Sequence, residues 1–158
     1  MAYTITSTLV GAQSIAGTDT VQNHPLGTAV KAKDPLYGEG EFIYLKGLAA
    51  TAVGDAVVYN SYTGVTTRLV AGGKGELSWA MSANLSGSFG WYQISGSVVA
   101  NVAAGFTAAT DLYATATAGV IAVAVVAGDL IAGGVGVTAI GTPSATTAVL
   151  TVSRPSIT

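Results

Sequence analysis

The chain has no cysteine, which removes disulfides, thiolate zinc sites and cysteine nucleophiles together. It has one histidine, His24, so a metal site would have to be built from carboxylates, and these are scattered along the chain. Charge is scarce: 9% of the residues are charged and the net charge is −2, against about 25% charged in a typical soluble domain. No basic face exists to neutralise a run of phosphates, so nucleic acid is not an expected partner. The small net charge gives little colloidal repulsion, and a lone monomer with this surface is expected to self-associate. Large core formers are few as well, with two Trp, three Phe and two Met. Catalytic motifs are missing in the same way. "SGSFG" has Ser86 where a nucleophile elbow needs Gly, and "VAGGKGE" has Gly75 where a phosphate-binding loop needs Ser or Thr after Lys74. No cofactor is expected, and no enzymatic activity.

What is present is small and β-branched. Ala, Gly, Thr and Val number 27, 21, 20 and 19, together 87 of 158 residues. Such side chains suit closely stacked strands, and 21 glycines disfavour long helices, at about 1 kcal/mol each relative to alanine. The length fits one domain with a core that needs no staples. The start, "MAYTITSTLVGAQ", lacks the basic n-region and sustained apolar core of a secretory signal. The run 118–140 is apolar enough to raise a membrane helix, but Asp129 sits near its middle, Gly is frequent and basic flanks are absent. No membrane contact is expected.

Residues 1–27 read as an extended N-terminal arm, disordered or laid along a partner: "TITSTL" alternates, but "GAQSIAGTDTVQNHPLG" has no period and many turn formers. Residues 28–158 read as one β-domain of about ten short strands with turns between them. In "EFIYLKG", Phe42 and Tyr44 share one face and Ile43 and Leu45 the other; Trp79 and Met81 are expected to share a face in the same way. "TAVGDAVVY", "NVAAGFTAAT" and "AVVAGDLIA" share a turn in which Gly supplies positive φ, with Asp55 or Asp129 bonding local backbone. "GVIAVAVVA" is uncharged and strongly β-prone, so it is expected to be a central or covered strand. The fold class is therefore all-β, a compact antiparallel sandwich or barrel, jelly-roll-like, with the arm outside it.

Charge concentrates in one place. Lys31, Lys33, Asp34, Glu39, Glu41 and Lys46 are six of the 14 charged residues. Glu39 and Glu41 form the one close carboxylate pair and would share a strand face; a glycosidase pair is conceivable, but two solvated acids at a strand start are the better reading. Tyr37, Tyr44, Tyr59, Tyr62, Trp91 and Tyr92 are candidates for an aromatic binding surface or, preferably, a core face. Asn84-Leu85-Ser86 is a formal glycosylation sequon.

The strings "HPLGTAVKAKDPLYGEGEFIYLKGLAATAVGDAVVY", "GWYQISGSVV", "LYATATAGVI" and "VTAIGTP…AVLTVSRP" resemble capsid decoration, or cement, proteins encoded beside the major capsid protein of tailed bacteriophages. The resemblance covers about residues 23–155. It implies a non-enzymatic all-β structural protein on the outer surface of the icosahedral head of the virion, assembled in the host cytoplasm. Its implied partners are the major capsid protein and further copies of itself, as a homotrimer or homodimer. The alternative is a head-fibre or receptor- and glycan-binding module. The expected capsid or subunit contacts are His24, Asp34, Tyr37, Glu39, Glu41, Phe42, Tyr44 and Lys46, because mixed charge fixes register and rejects wrong partners.

Overall fold

The computed structural model describes residues 2–9, 13–48, 50–139 and 147–158. Among these the chain is all-β. In chain order the strands are β1 (Thr4–Ile5), β2 (Thr18–Asp19), β3 (Ala29–Asp34), β4 (Gly38–Lys46), β5 (Ala56–Tyr59), β6 (Thr66–Arg68), β7 (Gly75–Ala80), β8 (Phe89–Asn101), β9 (Leu112–Ala114), β10 (Ile121–Ala122), β11 (Leu130–Gly136) and β12 (Thr147–Ile157). They form a single antiparallel sheet with the path β1-β3-β4-β8-β7-β12-β11-β9-β10, with β2 added to β8 and the β5–β6 hairpin added to β7. One sheet folding over itself gives the compact, sandwich-like shape.

The long strand β8 organises the fold. Its first half pairs with β4 and its second half with β12. The change of partner is marked by a register shift between Glu41 and Phe42 and by Gly96 at φ 98. A Cβ there would lie 2.5 Å from the Glu39 carbonyl oxygen, so only glycine lets β4 approach so closely. β12 makes a matching corner. It leaves β8 after Ser153 and pairs with β7 from Ser156. Arg154 at the corner has φ 42, and the partner strand β11 shifts register at the same level, between Ala132 and Gly134. Such bulges bend a strand and increase its twist.

Three cores result. The largest lies among β5, β7, β9–β12 and the second half of β8, around Trp79, Leu77, Phe106, Leu112, Ile131 and Leu150. A second holds Phe42, Tyr44, Trp91, Val30 and Met81. The third holds Ile43, Leu45, Val57, Tyr92 and Ile94. The expected alternation in β4 therefore holds, but both faces are buried: Phe42, Tyr44 and Leu45 are 0% exposed and Ile43 9%. Full burial of each such side chain contributes about 1.5–3 kcal/mol. Trp79 and Met81 do not share a core, because β7 ends at Ala80 and the chain turns there.

The expected extended arm is not what the described residues of 1–27 form. β1 pairs with β3 and β2 with β8. Ile15 is 2% exposed, and Tyr3, Ile5, Leu9 and Leu26 close the second core. Order comes from the domain itself. The segment 119–127 also departs from expectation: only Ile121–Ala122 is strand, and Val125 and Val126 stand 78% and 37% exposed. The run 118–140 contains β10 and β11, and among the described residues no helix is long and apolar enough to cross a membrane. The three-fold turn reading is met, with Gly54, Gly105 and Gly128 at φ 84, 80 and 83.

Candidate functional site: the β3–β4 hairpin

β3 alternates cleanly, with Lys31 and Lys33 outward and Val30, Ala32 and Asp34 inward, as a strand over a core should. The turn that follows is fixed by Asp34. Its Oδ1 accepts the N–H groups of Leu36 at 2.7 Å and Tyr37 at 3.0 Å, and Oδ2 accepts the N–H of Ala2. Burial pushes the Asp34 carboxyl up, but the N–H donors of Tyr37, Leu36 and Ala2 outweigh it and hold it below its ordinary value. One carboxylate thus closes the hairpin and ties the N-terminal segment to it. The tip carries Leu36 at 79% exposure, beside half-buried Tyr37.

Behind the tip, antiparallel register sets Lys31 opposite Glu41 and Lys33 opposite Glu39, so opposite charges face each other across the ribbon. Lys31 Nζ lies 3.7 Å from Glu39 Oε1, and Arg154 Nη2, from the β12 corner, 2.6 Å from Glu41 Oε1. Exposed pairs of this kind contribute about 0–1 kcal/mol. Their value is in fixing geometry. Each carboxylate has its own cation within reach. Lys46 is exposed at the far end of β4.

The other expected contact residues lie inside. Phe42 and Tyr44 are 0% exposed, Asp34 3% and His24 6%. His24 packs edge-on against Tyr44, with centroids 5.2 Å apart, and its Nε2 is 3.1 Å from Gln13 Oε1. Gln13 Nε2 and the Tyr44 hydroxyl both donate to Asp19 Oδ2, each at 2.6 Å. Burial, then the hydrogen bond to Asp19, pushes the Tyr44 phenol up to about 12. This chain of polar contacts locks the N-terminal segment over the second core. The hairpin therefore presents Lys31, Lys33, Leu36, Tyr37, Glu39, Glu41 and Lys46, with Arg154 of β12 beside Glu41. The sequence reading missed Leu36, because one leucine in "DPLYG" carries no periodic signal, and it missed Arg154, which the fold alone brings to Glu41.

Elsewhere, a buried ionic cluster ties loops together. Asp55 is 1% exposed. Its Oδ2 accepts the Ala52 N–H at 2.9 Å and lies 2.8 Å from Arg68 Nε, and Oδ1 accepts from Asn101 Nδ2 at 2.8 Å. The Nε contact is off the N–H line, so it is an ion pair and not a directed hydrogen bond. Arg68 Nη2 donates to the Ala118 carbonyl at 2.7 Å. Asp55 bonds local backbone as expected, whereas Asp129 Oδ1 accepts the distant Gly72 N–H at 2.7 Å. The sequon residue Asn84 is 0% exposed and donates to the Tyr92 hydroxyl at 3.1 Å, so a glycan has no room there. Among the described residues no three His, Asp or Glu side chains come together as a metal site needs. Compared with known proteins, the chain matches no family model, no curated protein and no solved structure.

Proposed function

We propose that the chain is a structural virion protein that decorates the outer surface of a tailed-phage head, contacting the major capsid protein and other copies of itself. The observation that carries this reading is the β3–β4 hairpin, which holds a 79%-exposed leucine at the apex of a rigid ribbon of paired charge. An apolar anchor ringed by polar groups is the composition of a protein contact centre, and paired charge selects partner and register more than it adds affinity. The sequence resemblance to cement proteins agrees with a role in contact, without catalysis. Repetition over a lattice makes individually weak contacts collectively strong.

The experiment is co-sedimentation with mature, undecorated capsids from the same genome, scored as copies bound per capsid. Saturation at hundreds of copies is expected. No binding, or a few dozen copies at vertices, transfers the assignment to a fibre or receptor-binding module. Glu39→Lys with Glu41→Lys is expected to abolish decoration at physiological salt while changing stability by no more than about 2 kcal/mol, the loss of two exposed pairs. Decoration that survives this change unaltered removes the hairpin from the contact.

A further inference from the structure

The β5–β6 hairpin carries Tyr62, which at 96% has the highest exposure of the large apolar side chains described. The loop under it is rigid. Asn60 Oδ1 accepts the N–H groups of Tyr62 and Thr63, each at 2.9 Å. The Asn60 N–H donates to the Val65 carbonyl at 3.1 Å, the Gly64 N–H to the Asn60 carbonyl at 2.7 Å, and the Lys46 N–H to the Gly64 carbonyl at 2.8 Å. Gly64 has φ 67, and a Cβ there would meet Leu26 Cβ at 2.5 Å, so the loop is also wedged against the N-terminal segment. An aromatic ring left in water stabilises no core. On a loop held this firmly it is pre-organised, and pre-organisation lowers the entropy cost of binding.

Beside the ring lies an open groove of about 680 Å³, a size that small-molecule sites occupy. Val58 and Tyr59 of β5 and Lys74, Gly75 and Glu76 line it together with the loop residues. Tyr59 and Glu76 are cross-strand partners. Burial, then the Glu76 charge, raises the Tyr59 phenol, so it remains a proton donor at neutral pH. Lys74 Nζ donates to the Gly128 carbonyl at 3.0 Å, which ties its charge to the loop before β11. Ser61, Thr63 and Thr67 add hydroxyls to the lining.

This set matches one ligand chemistry. A pyranose offers a face of C–H groups and a rim of hydroxyls. The face packs on a phenol ring, which has an apolar body and a polar tip. Vicinal hydroxyls donate to a carboxylate, and charge makes those hydrogen bonds the stronger kind. A peptide bound as an added strand needs unpaired backbone, and β5 is already hydrogen-bonded to β6 on one edge and β7 on the other. We infer that the groove between Tyr62 and Glu76 binds a neutral saccharide, with Tyr62 as the stacking platform and Glu76 as the hydroxyl acceptor. The site is on a different hairpin from the proposed capsid contact and does not depend on it.

The test uses the isolated full-length chain, with amide NMR shifts followed during titration with methyl glycosides of glucose, galactose, mannose and N-acetylglucosamine and with trisaccharides of each. Saturable shifts confined to residues 58–67 and 74–76 are expected for at least one sugar, with affinity in about the millimolar range. Tyr62→Ala is expected to weaken binding at least about tenfold and Glu76→Gln severalfold, with the thermal midpoint unmoved because both side chains are exposed. The inference is overturned by an absence of saturable shifts with the whole panel, by shifts centred elsewhere, or by unchanged affinity in Tyr62→Ala. Loss of capsid binding in Tyr62→Ala, with no sugar effect, also overturns it and makes the ring a protein contact.

Discussion

Six of the 14 charged residues fall between 31 and 46, whereas Asp129 is the single charged residue from Leu112 to Ser153. At the hairpin Lys31, Lys33, Glu39 and Lys46 face water. At the opposite extreme of the sheet, β9–β11 and their loops expose Val125 at 78%, Val137 at 49%, Leu130 at 45% and Val135 at 42%, while Asp129 is 5% exposed. The same antiparallel geometry thus carries two surface chemistries. Charge turned outward selects a partner, since a mismatch leaves like charges opposed. Charge turned inward ties loops, as Asp129 does at Gly72, and leaves the outside apolar and unselective. Exposed apolar area of that kind marks interaction surfaces.

The largest break of this contrast is expected from an inward charge. Asp55→Ala removes the partner of Arg68 and the acceptor for Ala52 and Asn101. Removing one member of a buried pair costs about 3–5 kcal/mol. The Arg68 side chain is 27% exposed, so the lower end, about 3 kcal/mol, is expected in a denaturant titration. A loss under about 1 kcal/mol is the scale of a surface pair and would place Asp55 with the hairpin charges, ending the distinction.

A smaller effect, with a pH signature, is expected at the junction of the two modes. Asp34 is a hairpin residue whose charge points inward. Its carboxyl is held below the unfolded value of about 3.9. Its contribution is therefore complete above that unfolded value and is lost as pH falls through the lower folded value. Asp34→Asn keeps an oxygen for Leu36 and Tyr37 but sets an amide N–H against that of Ala2. The variant is expected to be less stable than the parent at neutral pH, by less than Asp55→Ala, and the difference should close in acid. A difference that stays constant down through the acid limb would show that the charge of Asp34 contributes nothing.

The contrast was partly legible in the sequence. The charge cluster is a matter of counting, and the alternation of Phe42 and Tyr44 against Ile43 and Leu45 follows from the pleat. Gly54, Gly105 and Gly128 announced their turns, because positive φ is a local demand that glycine meets without cost in sterics. What stayed hidden depends on distant residues. Residues 13–27 have no period, and their order comes from single contacts, Tyr44 to Asp19 and Ile15 into the second core. Two-sided burial of β4 turned Phe42 and Tyr44 from contact candidates into core, and His24 is buried against Tyr44. "GVIAVAVVA" has strand propensity throughout, yet the described chain pairs only Ile121 and Ala122, since propensity in strands is a statement about neighbours and β10 has few.

That segment gives the smallest stability effect expected and the sharpest test of the contrast. Val125 is 78% exposed, so Val125→Lys removes little buried area and should change stability by no more than about 0.5 kcal/mol. It places a positive charge on an apolar stretch near exposed Asp111, which lines the same groove as Val125, while Asp129 is buried. If the β9–β11 end is the unselective adhesive surface, sedimentation velocity should show concentration-dependent association in the parent chain and less of it in the variant, with recovery at high salt as the added charge is screened. A variant that instead loses more than about 1 kcal/mol would show that Val125 is held by the fold. A variant that associates as the parent does would move self-contact to the charged hairpin, and the two ends would then differ in composition without differing in use.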